Sequence, residues 1–371
     1  MKIAIATSER FHVLDLAREL DRLGHDIQFY SYVPRARTSR FGLPAKVQVS
    51  LLPAMAPFVV TQRYAPHQLR QRLAKRTVSA LDRLVASTLQ PCDVLIAMSG
   101  MFVETLKTAR RKYGAKIILE RGSRHIRSQD EILRKASAVG VDPFYISREL
   151  AGYGIADFIT VPSQHVSESF LEFGVPPEKL FSNPYGCDLE MFPTTVRIGG
   201  PDRTILFVGT WSVQKGCDVL VQALRLLEGV RLVHVGSGGD IPYPGNPNFL
   251  HVDPVPQEEL TRHYAQCDVF VHASRQEGLS LVLCQALASG LPVVCTTRTG
   301  GRDIASLIGR SAVVFEIPPD DPVALAAAIR RALDLPRGPQ GAPRDILQSS
   351  RAALSWREYG RRYDQFLSGL A

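Results

Sequence analysis

The sequence predicts an α/β protein of two doubly wound, parallel-sheet units that face each other across a cleft. Three observations carry this expectation. Short apolar, β-rich runs alternate with amphipathic helical patterns along the chain. The runs are continuously apolar, as strands covered on both faces of a parallel sheet are. The pattern starts again after a Pro- and Gly-rich stretch without periodicity, NPYGCDLEMFPTTVRIGGPDR at 183–203. A chain of 371 residues is also too long for one ordinary core and fits two units of similar size.

The elements follow in order. In the first half KIAIA (2–6), DIQFYSY (26–32), VQVSLLP (47–53), DVLIAMSG (93–100), KIILERG (116–122) and DFITVPS (157–163) read as strands. Between the first two lies a helix, HVLDLARELDRLGH, with Leu14, Ala17, Leu20 and Leu23 on one face and Gly24 as its stop. In the second half TILFVGTW (204–211), RLVHVGSG (231–238), FLHV (249–252), VFVHAS (269–274), LPVVCTT (291–297) and AVVFEIP (312–318) read as strands. The helices there are GCDVLVQALRLL (216–227), QEELTRHYAQC (257–267), SLVLCQALASG (280–290) and DPVALAAAIRRAL (321–333). A loop, LPRGPQGAPRD (335–345), precedes a final amphipathic helix, WREYGRRYDQFLSGL (356–370). The expected boundaries are 1–188, 189–355 and a terminal helix, 356–371, packing back on the first unit. Two such units bind ligands between the C-terminal edges of their strands.

Composition narrows the class. Hydrophobic content of 45% and charged content of 22% are those of a globular protein in water. No uninterrupted apolar stretch approaches the ~18 residues of a membrane span. The start, MKIAIATSERF, reads as a first strand because its apolar run is too short for a signal peptide. Cys92, Cys187, Cys217, Cys267, Cys284 and Cys295 form no C-x-x-C pair and lie in apolar surroundings, so reduced thiols and a cytoplasmic location are expected. The net charge of +8 is uneven: residues 31–90 hold Arg35, Arg37, Arg40, Lys46, Arg63, Arg70, Arg72, Lys75, Arg76 and Arg83 against Asp82 alone. That is either a solvated face or a surface for an anionic partner. The segment 58–87 mixes these cations with apolar positions and is expected to touch an anionic membrane peripherally. Nucleic acid is not expected, since no recognised binding module is present.

Three turns carry the chemistry. FVGTWSVQKG runs from a strand through Gly209 to Lys215 at the mouth of a helix, where amide donors and the ammonium can seat a diphosphate. An ordinary turn with a surface lysine has the same spacing. VHVGSGGD (233–240) follows a strand but lacks G-x-G-x-x-G, so on its own it reads as a plain turn. In SRQEGLSLVLCQALASG (274–290) the helix is expected to begin near Leu279, with Glu277 just before it. The amides of Gly278, Leu279, Ser280 and Leu281 and the side chain of Gln285 are expected to face the same ligand.

SRQEGLSLVLCQALASGLPVVCTTRTGG (274–301) resembles the signature of the family 4 glycosyltransferases: Glu-Gly-x-Gly, a second Glu eight positions after the first, Ala-x-Ala-x-Gly-x-Pro-Val-Val, and a Gly-Gly pair. FVGTWSVQKGCDVLVQAL resembles that family's Gly-Arg-x-x-x-x-Lys-Gly segment. QEELTRHYAQCDVFVHAS and VPSQHVSESFLEFGVPPEKLFSNPYGCDLEMF (161–192) resemble two further blocks. The similarity covers about residues 160 to 320. It implies a GT-B fold of two Rossmann-like domains, the first for an acceptor and the second for a nucleotide-sugar donor, most simply a UDP- or GDP-sugar. It also implies a retaining transfer without a metal ion. The acceptor would bear a hydroxyl on a saccharide, a lipid-linked glycan or a small molecule.

Residue by residue, the resemblance implies that Lys215 neutralises the donor diphosphate and Glu277 holds donor-sugar hydroxyls. Gly209, Thr210, Gly236, Ser237 and residues 278–281 would contact the donor, and Gln285 its ribose. Arg10, His12 and Arg121 would approach phosphate or acceptor, and His125, in ERGSRHI, would lie near the reacting sugar. Four departures stand out. Thr210 replaces the usual Arg, with Arg275 or Arg302 as candidate substitutes, and Gln285 replaces the second Glu. Ser280 replaces a Gly, and TSERFH replaces the usual Gly-Gly loop after the first strand. Two other readings remain: a nucleotide-sugar epimerase on the same fold, and a non-catalytic binding protein that has lost part of its nucleotide grip.

Overall fold

Two all-parallel sheets, each wrapped by helices, are what the doubled pattern builds. The computed structural model describes residues 1–194, 203–309, 311–335 and 350–370. The strands of the first sheet are β1 (Lys2–Ala6), β2 (Asp26–Ser31), β3 (Gln48–Ser50), β4 (Val94–Met98), β5 (Lys116–Glu120), β6 (Phe158–Val161) and β7 (Leu180–Ser182). Those of the second are β8 (Arg203–Val208), β9 (Val230–Val235), β10 (Phe249–Val252), β11 (Val269–His272), β12 (Val293–Thr296) and β13 (Val314–Ile317). Their orders are β3-β2-β1-β4-β5-β6-β7 and β10-β9-β8-β11-β12-β13. Each order reverses once, between β1 and β4 and between β8 and β11. Those switch points open crevices at the strands' C-terminal ends.

Apart from a loop that makes the one from β9 to β10, helices make the crossovers that parallel pairing requires. They are α1 (His12–Arg22), α2 (Arg35–Ser39), α3 (Leu52–Tyr64), α4 (His67–Thr88), α5 (Val103–Tyr113), α6 (Ile126–Lys135), α7 (Pro143–Ile155), α8 (Gln164–Glu172), α9 (Cys217–Arg225), α10 (Gln257–Gln266), α11 (Leu281–Ala288), α12 (Gly301–Leu307) and α13 (Pro322–Leu333), with α14 (Trp356–Ser368) last. Strand interiors such as Ile3, Ile5, Leu95 and Ile96 are fully buried, as the continuous apolar runs require. α14 lies across the first unit: Phe366 stacks on Phe181 at 4.0 Å, and His25 Nε2 meets Asp364 at 2.7 Å. Among the described residues no helix is long and apolar enough to cross a membrane.

Several local expectations change. VQVSLLP is a strand only over 48–50, because Leu51 turns the chain and Pro53 suits the first turn of α3. β7 has only three residues, too few to show a periodicity. Leu23 lies beyond the end of α1 and is 46% exposed, so it leaves the buried face. α11 begins at Leu281 rather than near Leu279, since extended Ser280 caps it and gives its amide to Thr299 O. Residues 195–202 of the inter-unit stretch and 336–349, most of the 335–345 loop, lie outside the described residues.

The units touch through α8 and the turn around Gly278. Gly278 O accepts from Ser163 Oγ and from His165 Nε2, each at 2.8 Å. Burial, and then Arg124, pull His165 down to about 4, so this contact uses a neutral imidazole. The Gln164 amide donates to Asp303 Oδ1 at 2.7 Å, and burial pushes that carboxyl up to about 6 from 3.8. A raised acid binds its proton more tightly in the folded state, so stability falls as pH rises from 3.8 through about 6. Asp303→Asn keeps the acceptor and removes the ionisation. Differential scanning calorimetry is expected to show it stabilised by roughly 1–3 kcal/mol near pH 8 and hardly at all near pH 4.

Candidate active site

A cleft of about 970 Å³ opens where the C-terminal edges of the two sheets meet. From the expected site residues it draws Arg10, His12, Arg121, Gly209, Lys215, Glu277, Leu279, Ser280, Leu281 and Gln285 to its lining. Thr210, Gly236, Ser237, Gly278 and His125 are not part of that lining.

At the floor, Lys215, two residues before α9, pairs with Glu277 from the turn after β11. Ser274 Oγ donates to the same carboxylate oxygen, Oε1, at 3.0 Å, and His272 Nε2 lies 3.5 Å from it. Burial favours the neutral acid, but Lys215 and then His272 outweigh it and hold the Glu277 carboxyl down at about 2. All three neighbours crowd Oε1. Oε2 has no protein partner among the described residues, and the side chain keeps 16% of its surface exposed in the cleft. An ionised carboxylate with one free oxygen is an acceptor for hydroxyl groups.

Gln285 is buried at the cleft wall, and its Oε1 accepts from Tyr264 OH at 3.1 Å. That leaves its amide N–H₂ and the second lone pair of Oε1 for a ligand, so the residue can both donate and accept there. Sequence reasoning missed His272. It ends β11, is 1% exposed and lines the cleft; its Nε2 faces Glu277 Oε1, and its Nδ1 has no hydrogen-bond partner among the described residues. Its only signal in the sequence was its place at the C-terminal end of a strand.

The expected second cation is in neither proposed place. Arg275 is bidentate to Asp218 at 2.6 and 2.7 Å and also bound to Asp320, while Arg302 pairs with Glu316. Thr210 Oγ1 sits 3.2 Å from Ser237 Oγ on the exposed rim. Gly236 is required by packing, because a Cβ there would run into the carbonyl of Gly209. Gly278 is likewise a packing residue: its Cα lies under the carbonyl of Gly122 from the first unit, leaving no room for a Cβ. Among the four amides expected to face a ligand, that of Ser280 is committed to Thr299.

The first unit supplies the opposite wall. Arg10 lies over the Phe41 ring, 3.2 Å from its centroid, and donates to Gln257 Oε1 at 3.3 Å. It has no carboxylate partner among the described residues. Arg18 is neutralised by Asp15 and Glu19, and Arg121 by Glu149 at 2.9 Å. His12 Nε2 donates to Glu120 Oε2 at 2.8 Å, and Tyr363 OH of α14 donates to Glu120 Oε1 at 2.7 Å. The terminal helix therefore orients a cleft histidine through a buried carboxylate. His125 is corrected: its ring stacks on Phe173 at 4.4 Å and edges against Phe170, inside the first unit. Burial, with Arg121 and Arg127, pulls it down to about 4. It caps α6 and does not reach the cleft.

The comparisons with known proteins agree with this architecture. Residues 10–186 match the family profile described as "Glycosyl transferase 4-like domain", and 202–334 that described as "Glycosyl transferases group 1". The chain is 32% identical over 160 residues to a GDP-mannose-dependent alpha-mannosyltransferase of Mycobacterium tuberculosis, covering 40% of this chain and 42% of that one. It is 23% identical over 364 residues to the MMP alpha-(1->4)-mannosyltransferase of Mycolicibacterium hassiacum, covering 88% and 86%. Among solved structures, sucrose-phosphate synthase from Thermosynechococcus elongatus superposes with a TM-score of 0.70 at 18% identity, over 100% of this chain and 98% of that one. Anabaena Alr3699/HepE in complex with UDP and glucose superposes at 0.65 with 14% identity, over the whole of both chains. With two profiles of one family on its two units and the GT-B arrangement of its sheets, the chain belongs to the group 1 family 4 glycosyltransferases.

Proposed function

We propose that the chain transfers a sugar from a nucleoside diphosphate sugar to a hydroxyl-bearing acceptor, with retention at the anomeric carbon and without a metal ion. The observation that carries this reading is the Lys215–Glu277 pair on the cleft floor beside Gly209. Lys215 offers the positive charge that a departing diphosphate needs as the glycosidic bond breaks, and that charge acts most strongly in the transition state. Glu277 Oε2 accepts donor-sugar hydroxyls, and the Gln285 amide donates to the ribose. Arg10, free of any carboxylate partner among the described residues, supplies a second cation from the facing unit. A GDP-sugar is the donor of first choice, because the mannosyltransferase relative at 32% identity is named for GDP-mannose. The buried cysteines fit a reducing, cytoplasmic setting.

In the retaining reading the leaving phosphate takes the acceptor proton on the same face, so no protein base is required. One observation favours a second reading. His12 is oriented by Glu120 as a base is oriented by a carboxylate in a catalytic triad, and its ring lines the cleft. A base there, taking the proton of an acceptor hydroxyl whose oxygen attacks from the face opposite the leaving diphosphate, would invert the anomeric centre.

The test is a thermal-shift screen of GDP-, UDP-, ADP- and TDP-sugars, followed by transfer with the donor that binds. One donor is expected to raise Tm and to release its nucleoside diphosphate equally with and without EDTA. Proton NMR of the product assigns its anomeric configuration, and retention is expected. Inversion that His12→Ala abolishes would replace the first reading by the second. Epimerised nucleotide sugar formed without acceptor would overturn both.

A further inference from the structure

α3 and α4 leave uncovered a face that is apolar and basic together. α3, LPAMAPFVVTQRY, is apolar around most of its circumference, yet only Met55 is buried. Phe58, Val60 and Tyr64 are 42, 54 and 77% exposed, and Leu69 on the first turn of α4 is 46% exposed. A helix apolar on all sides ordinarily has all sides covered. Here α3 packs along α4 and its other side meets solvent.

The charge on this face has one sign. Residues 52–88 contain Arg63, Arg70, Arg72, Lys75, Arg76 and Arg83, with Asp82 the lone acid. Asp82 is 1% exposed and turned inward: it accepts from the amides of Glu104 and Thr105 at the start of α5 and pairs with Arg148. Of the six cations only Lys75 has a carboxylate partner among the described residues, Asp142 at 2.7 Å. A groove of about 580 Å³ between the two helices is lined by Met55, Phe58 and Leu84 together with Lys75, Arg76 and Arg83.

We propose that this helix pair seats the protein on an anionic lipid bilayer, with Phe58, Val60, Tyr64 and Leu69 entering the headgroup boundary and the arginines meeting lipid phosphates. Both halves of the surface are then used. Nucleic acid would satisfy the cations and leave the apolar side chains in water. A second copy of the chain would set this basic face against itself, with like charges opposed. The placement has a consequence. α3 starts where β3 ends, on the sheet edge from which the segments after β1 and β2 bring Arg10, Arg40 and Phe41 to the cleft. A seated protein holds that wall of the cleft near the lipid surface, which suits an acceptor carried in the membrane; this consequence, unlike the docking, rests on the transferase reading.

The test is flotation of the full chain with vesicles of phosphatidylcholine alone and of phosphatidylcholine with phosphatidylglycerol. The chain is expected to float only with the anionic vesicles, and less as salt is raised. Phe58→Ser/Val60→Ser/Tyr64→Ser and, separately, Arg72→Glu/Arg76→Glu are each expected to lose flotation while keeping the parent's Tm and donor-induced thermal shift. These positions are exposed, so the fold does not depend on them. Failure of the parent to float with anionic vesicles, or flotation unchanged in both variants, would overturn the proposal. So would a lipid-free dimer that the serine variant dissociates, or RNA binding that the glutamate variant abolishes in a parent that does not float. Intact flotation loss with unchanged donor binding separates this idea from the fate of the transferase reading.

Discussion

Glu277→Ala is expected to lower donor kcat/KM by about 10²–10³-fold, whereas Gln285→Glu stays within about tenfold of the parent. The two positions differ in what surrounds them. Glu277 sits beside Lys215, Ser274 and His272 and presents one oxygen to the cleft. Its removal deletes a hydroxyl acceptor and frees the ammonium of Lys215, so the loss should fall on kcat more than on affinity for the free nucleoside diphosphate. Gln285→Glu keeps an oxygen for Tyr264 OH and offers the ribose an acceptor in place of an amide donor. Steady-state kinetics of both variants decide the matter. Equally severe losses would show that the amide N–H of Gln285 is itself required.

The same pair sets a pH expectation. The folded-state pKa of Glu277 is held at about 2, below its ordinary 4.5. The stabilisation from its ionised form is therefore complete above 4.5 and lost as pH falls towards about 2. An acid limb at higher pH in the rate profile would belong to another group, because Glu277 stays ionised there.

Gly278→Ala is expected to open the two units and lower transfer by at least about 100-fold, since a small misplacement across a two-sided site costs that much. The added Cβ would fall within the carbonyl of Gly122, and both are backbone positions that cannot swing aside. Opening also removes the hydrogen bonds from Ser163 and His165 to Gly278 O. Small-angle scattering should show an enlarged particle, with circular dichroism unchanged. Ser163→Ala is the matched control. It removes one hydrogen bond to the same carbonyl, worth about 1 kcal/mol, and should leave the particle compact. A compact, active Gly278→Ala protein would show that closure through this turn is dispensable.

The doubled α/β plan was legible because it is written in local patterns. Short, β-branched continuous apolar runs such as VLIAM and VFVH fit strands covered on both faces, and the connector near 190 separates one series from the next. Lys215, Glu277 and Gln285 were legible as a group for a similar reason: each stands at a strand-to-helix turn of the second unit, and those turns share one sheet edge. Element ends were less legible. The start of α11 depends on Ser280 giving its amide to Thr299, nineteen positions away in sequence.

Local sequence thus sets the alternation of strands and helices and the two-unit plan, and it marks Lys215, Glu277 and Gln285 as standing at or near strand-to-helix turns. Which side of each turn a residue serves emerges from three-dimensional packing. It placed His125 inside an aromatic cluster and brought His272 to the cleft floor. It tied Arg275 to Asp218, and showed that the glycine after Glu277 makes room for the carbonyl of Gly122 rather than for a ligand. It also left α3 bare on one side. The physical reason is common to these cases: secondary structure follows from periodicity within a few residues, whereas burial, pairing and close approach depend on groups brought together from distant parts of the chain, which no local pattern records.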